Sequence, residues 1–179
     1  RSLELYSGLE NTTFLASTGL TIYSVMEEKL TPSGTKQKTT VVDYLSDHPF
    51  RKVYLMLGIN ELGRGTAEQF VAQYSSVIST IQALEPDAII YVQAILHISA
   101  EKEAEGTYIN NEGILERNAL LSQLADNRTI FYLDANEAIC DPDGFLIDNY
   151  TFDGVHLQAK YVPIWVNWLK LHAVKMADA

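Results

Sequence analysis

"RKVYLMLGINELGRGTAEQFVAQYSSVISTIQALEPDAIIYVQAIL", residues 51–96, contains two short apolar runs separated by a longer periodic one. The outer runs, 51–57 and 88–96, are rich in β-branched and aromatic residues, have strand length and are bounded by turn signals, so they read as strands. Their near-continuous apolar character implies cover on both faces. Between them Thr66 followed by Gln69 is a capping-box pattern, and Phe70, Tyr74, Val77, Ile78 and Ile81 recur at helical spacing. The stretch therefore predicts a strand, a helix over 66–84, and a second strand.

The same alternation continues on either side. "TTFLAS" (12–17) and "TIFYLD" (129–134) read as further strands, and 21–30, 38–47 and 111–127 carry helical periodicity. A last helix places Tyr161, Ile164, Trp165, Trp168 and Leu171 on one apolar stripe, with Pro163 in its first turn. Strand and helix repeated in this way predict a doubly wound α/β fold, a parallel sheet with helices on both faces. With 179 residues, 47% of them apolar, the chain suits one domain over 1–179. Ligands in such folds bind beyond the carboxyl ends of the strands, so the loops after residues 17, 57, 96 and 134 are the ones to inspect. The segment 98–113 is long for a loop in a compact domain and is expected to rim a pocket.

A formal net charge of -10 opposes binding to nucleic acid or to an anionic membrane surface. A small-molecule or glycan ligand fits better. Cys140 is the only cysteine, which excludes an internal disulfide and a cysteine-based metal site. No run of about 18 apolar residues is present, and no leader pattern. The chain opens at Arg1 without Met, and neither the compartment, whether cell-envelope, extracellular or cytoplasmic, nor the oligomeric state can be read from it.

Three places could carry chemistry. After the strand at 51–57, Gly58 permits a sharp turn that displays Asn60, whose amide can donate to a developing oxyanion or simply close an Asx turn. After the run at 12–17, Gly19 offers its backbone N–H to the same cleft. Near the end, Asp153 and His156 lie three apart in "DGVH", a spacing that lets the carboxylate accept from Nδ1 and leave Nε2 as a general base. The other reading makes Asp153 a local cap and His156 a surface residue. His97, at the end of the third strand, could line the pocket but reads rather as a loop residue with a hydrogen bond. Glu61 faces substrate or belongs to the helix approach. His48 and His172 read as structural or exposed, and Cys140 as a small apolar residue. The acidic run "CDPDGFLIDN" (140–149) reads as a turn, because its spacing does not satisfy an EF-hand.

In combination, Gly19 in "STGL", Asn60 in "GIN" and Asp153 with His156 in "DGVH" resemble three of the four motif blocks of the SGNH (GDSL-type) hydrolases, a family of esterases and deacylases. The resemblance spans essentially the whole chain. It implies a flavodoxin-like three-layer sandwich and hydrolysis of a carboxylic ester, on a small ester or an acylated carbohydrate. In that reading His156 is the base, Asp153 its orienter, and Gly19 with Asn60 the oxyanion hole. No metal or organic cofactor is implied. The first block, G-D-S, does not occur. By the family pattern Arg1 and Ser2 stand just after the nucleophile, so Ser2 is the nearest serine but is out of alignment. The resemblance thus implies an upstream strand and nucleophile turn, placed between the runs at 12–17 and 51–57. The alternative is a non-catalytic ligand-binding domain on the same scaffold.

Overall fold

The alternation of side chains along one buried strand sets the layers. In the computed structural model, which describes residues 1–174, β1 (Lys52–Leu55), β2 (Ile89–Gln93) and β3 (Ile130–Leu133) form a parallel sheet in the order β1-β2-β3. The register pairs Val53 with Ile90 and Val92 with Tyr132. Successive residues of a strand face opposite sides, so Ile90 and Val92 enter one apolar cluster while Ile89 and Tyr91 enter another. The first cluster packs the sheet against α2 (Val41–Asp47), α3 (Ala67–Leu84) and α5 (Asn111–Ser122). The second packs it against α1 (Ser2–Tyr6), α6 (Asn136–Ile139) and α7 (Val162–His172). Helices on both faces of a parallel sheet make the doubly wound three-layer sandwich.

The expected α3 begins with a complete capping box: Thr66 Oγ1 accepts from the Gln69 N–H, and Gln69 Oε1 accepts from the Thr66 N–H. Its stripe of Phe70, Tyr74, Val77, Ile78 and Ile81 is buried. In α7 Pro163 sits in the first turn, and Trp165 donates its indole N–H to Gln93 Oε1 at 3.1 Å, which ties the helix to β2. No helix among the described residues is long and apolar enough to cross a membrane.

The strands stop earlier than their apolar runs, because side chains take over the backbone groups beyond the ladder. At Leu57 the Tyr74 hydroxyl accepts from the backbone N–H at 2.8 Å and donates to the carbonyl at 3.1 Å. After β2, three buried asparagines do the same work. Asn118 bonds both the N–H and the carbonyl of Ile95, Asn111 those of Ile98, and Asn136 accepts from His97 N–H while donating to the Ile95 carbonyl. Buried backbone groups need such partners.

Two expected elements do not form. The run 12–17 lies in no ladder; Phe14 exchanges backbone bonds with Ser33 instead, its N–H with the hydroxyl and its carbonyl with the N–H, both 2.9 Å. An apolar run becomes a strand only beside a neighbour that supplies the bonds, and none of the three strands lies there. Residues 21–30 make successive turns rather than a helix. Thr21 and Ser24 bond to each other and to the local backbone, which competes with the helical pattern. The segment 98–113, expected to be loop, holds a short helix, α4 (Ala100–Ala104), whose first turn Ser99 caps.

Candidate active site

A single turn builds the Asp153–His156 pair. Thr151 and Leu157 form an antiparallel bridge at its mouth. Inside it, Asp153 Oδ1 accepts the backbone N–H groups of Val155 and His156 at 2.9 and 2.8 Å, while Oδ2 lies 2.7 Å from His156 Nδ1. The i, i+3 spacing is what lets one carboxylate fold the turn with one oxygen and orient the ring with the other. Partial burial alone would raise the Asp153 carboxyl. The His156 and Val155 N–H groups and the His156 ring outweigh it and hold the group well below the usual carboxylate range. His156 is 65% exposed in its side chain, and Nε2 bonds to nothing among the described residues.

The turn is pressed onto the segment that follows β2 and opens α4. Gly154 gives its carbonyl to the Ser99 N–H at 2.8 Å, and Ser99 in turn caps α4. A side chain at Gly154 would strike Ser99 Oγ and the Lys102 stem. Val155 packs against the cluster that contains Leu20, Leu62 and Ile98, so this turn and the loops after 17 and 57 share one apolar floor.

On the other side, Gly58 turns the chain out of the sheet with φ +144°, and Asn60 follows in one turn of 3-10 helix, Ile59–Glu61. Asn60 Nδ2 donates to the Leu20 carbonyl at 3.0 Å, which orients the amide and leaves its second N–H free. Gly19 lies one residue before Leu20 and is exposed, and its N–H donates to no group among the described residues. Asn60 and Gly19 are thus brought together. No hydrogen bond among the described residues joins either of them to Asp153 or His156.

Gly58 predicts a stability effect. A Cβ there would run into the Ile95 side chain and lie 3.2 Å from the Phe70 ring, in a backbone conformation that L residues avoid. Gly58→Ala is expected to cost about 2 kcal/mol or more, read as a lower urea midpoint with an unchanged slope.

Glu61 corrects an expectation. Of the two expectations, the helix approach holds, since Glu61 ends the 3-10 turn Ile59–Glu61 that precedes α3, and exposure toward a substrate does not. The residue is fully buried, and its Oε1 accepts the Ile22 N–H.

The other candidates fall outside the site. His97 donates Nδ1–H to the Gly144 carbonyl at 2.7 Å. His48 stacks on Tyr44 and His172 on Trp168. Burial pushes the Cys140 thiol up to about 12, with Asp134 and Asp141 adding to it, so it is a poor nucleophile. Asp141 spends its Oδ1 on the Asp143 and Phe145 N–H groups of a turn. Among the described residues no group of three or more His, Cys, Asp and Glu side chains could hold a metal ion. Ser2 opens α1 and has no bond to His156. A cleft of about 250 Å³ beside Asn60 is lined by Leu62, Gly63, Arg64 and Tyr108. Tyr108 comes from the long 98–113 segment.

Solved structures share this arrangement of strands and helices. A carbohydrate esterase family 3 protein from Talaromyces cellulolyticus matches with a TM-score of 0.59 and 17% identity, over 86% of this chain and 67% of that one. Est24, a carbohydrate acetylesterase from Sinorhizobium meliloti, matches with 0.57 and 18%, over 86% and 74%. An aryl esterase from M. smegmatis matches with 0.53 and 17%, over 72% and 63%. These likenesses establish the fold. No curated protein sequence matches the chain. The sequence profile of the GDSL-like Lipase/Acylhydrolase family, however, matches residues 9–160, which takes in Gly19, Asn60 and the Asp153–His156 turn, and the chain belongs to that family.

Proposed function

We propose that this protein hydrolyses a carboxylic ester through a serine, with His156 as general base, Asp153 as its orienter, and the Gly19 N–H and Asn60 amide as oxyanion donors. The observation that carries this reading is the 2.7 Å contact of Asp153 Oδ2 with His156 Nδ1, which sets the tautomer so that Nε2 accepts a proton. The serine hydroxyl adds to the ester carbonyl as Nε2 takes its proton, and the negative charge on the carbonyl oxygen meets the two donors. Collapse expels the alcohol, which receives the proton from Nε2. Water then attacks the acyl-enzyme by the same route and frees the acid.

The serine belongs, in this reading, to a strand upstream of Arg1 that pairs with the open edge of β1 on one side and with residues 12–17 on the other, completing a single domain. Tyr54 is exposed in the middle of β1, whereas β2 and β3 have no exposed residue, and this supports the placement. A cleft of about 250 Å³ beside Asn60 suits a short acyl group such as acetyl rather than a long chain. The carbohydrate esterases among the structural relatives favour a sugar as the alcohol.

A fluorophosphonate probe tests the proposal on the full-length protein. One covalent adduct is expected, and peptide mapping is expected to place it on a serine in the segment before Arg1. Absence of an adduct from a folded, full-length chain would sink the serine mechanism and favour a ligand-binding domain.

A further inference from the structure

The strongest unexplained group in the molecule is Glu61, a carboxylate with no exposed surface in a chain that already carries an excess of acidic residues. A buried carboxylate is costly unless its bonds do something that water could not. Its Oε1 receives the Ile22 N–H at 2.5 Å, across 39 residues of sequence. One residue earlier, Asn60 Nδ2 reaches the Leu20 carbonyl at 3.0 Å. These two bonds run in opposite directions between the same pair of segments: the first donates from segment 20–22 to Glu61, the second from Asn60 to that segment. Together they fix both the spacing and the twist of the 19–22 loop against the 58–61 turn. Leu20 and Ile22 are themselves buried on the core side of that loop.

We infer that Glu61 is a positioning residue for the oxyanion hole: its carboxylate clamps the loop that carries Gly19 to the turn that carries Asn60, so that the two donors converge on one point. The inference rests on the proposed ester hydrolase reading. The alternative role, a carboxylate that touches substrate, is closed by its complete burial. The surroundings fit a clamp held rigid from behind. Glu61 Oε2 is buried without a partner, as is Nε of Arg117, a residue of α5 that is itself 5% exposed, bonds the Gly113 carbonyl and lies over the Phe70 ring. Burial raises the Glu61 carboxyl, while the Ile22 N–H, Arg117 and Arg64 pull it back, and no ion pair neutralises the group among the described residues. Preorganised donors lose their advantage once their supporting bonds are gone.

The test compares Glu61→Ala with Glu61→Gln in the full-length protein, with an activated acetyl ester as substrate. Gln keeps an oxygen that can accept the Ile22 N–H. Glu61→Ala is expected to lower kcat about 100-fold, the scale of losing one oxyanion donor, with KM within about 3-fold, and Glu61→Gln is expected to restore kcat to within about 5-fold of wild type. A loss confined to KM, no loss, or a Gln variant as poor as the Ala variant overturns the inference. Amide NMR supplies a readout independent of turnover and usable even if the Ala variant is poorly folded, since the Gln variant then stands against wild type. The Ile22 N–H, the Gly19 N–H and the Asn60 side-chain amide are expected to shift together in the Ala variant and to stay close to their wild-type positions in the Gln variant. A shift limited to Ile22, or displacement of the Gly19 and Asn60 signals in a folded Gln variant, overturns the clamp. If the wild-type protein turns over no ester, the hydrolase reading falls alone and these three resonances decide the clamp.

Discussion

His156→Ala is expected to reduce turnover of an activated acetyl ester by at least about 1,000-fold while leaving the fold intact. The size follows from the place proposed for Nε2 in both half-reactions, where it would take the proton of the serine and later that of water, with no other imidazole in the turn. His97 is committed to the Gly144 carbonyl, and His48, just past the end of α2, and His172, at the end of α7, stack on Tyr44 and Trp168. The fold persists because the His156 side chain is mostly exposed and its ring bonds only to Asp153. An exposed pair of this kind contributes no more than about 1 kcal/mol. Steady-state kinetics with the background rate subtracted, together with a thermal melt, decide the matter. Turnover close to wild type would remove His156 from the mechanism.

The second large effect belongs to Asn60→Ala, expected to lower kcat about 100- to 1,000-fold with little change in KM. An oxyanion donor strengthens its bond as charge develops, so its removal is felt in the transition state more than in the bound substrate. Loss of the bond to the Leu20 carbonyl adds a stability cost of about 1 kcal/mol, visible as a modest fall in melting temperature. That cost separates the bond that holds the loop from the role proposed for the second N–H in the reaction. If KM rises and kcat holds, Asn60 binds substrate and the oxyanion must find its donors elsewhere.

Much of the fold was legible because buried parallel strands and an amphipathic helix leave strong periodic marks. The run at 88–96 and the stripe from Phe70 to Ile81 are examples. What escaped the pattern was decided by partners distant in sequence. The run 12–17 has strand composition but no strand beside it among the described residues, and the ends of β1 and β2 are set by the hydroxyl of Tyr74 and by Asn111, Asn118 and Asn136, asparagines that give no signal of burial in sequence. For the candidate site, Gly19, Asn60, Asp153 and His156 stand out in the sequence through local motifs. Glu61 does not, because an acidic residue is expected at the surface and only the fold shows that it closes on Ile22.

The turn at Asp153 has a bearing on how the chain can change. One carboxylate holds two backbone N–H groups with one oxygen and the imidazole with the other, so local folding and proton chemistry depend on the same residue. A descendant that abandoned hydrolysis would still be under selection to keep Asp153, whereas His156, whose ring touches little else, would be free to drift. In any set of relatives, an aspartate at this place therefore reports on architecture, and the histidine beside it is the better witness of a living enzyme.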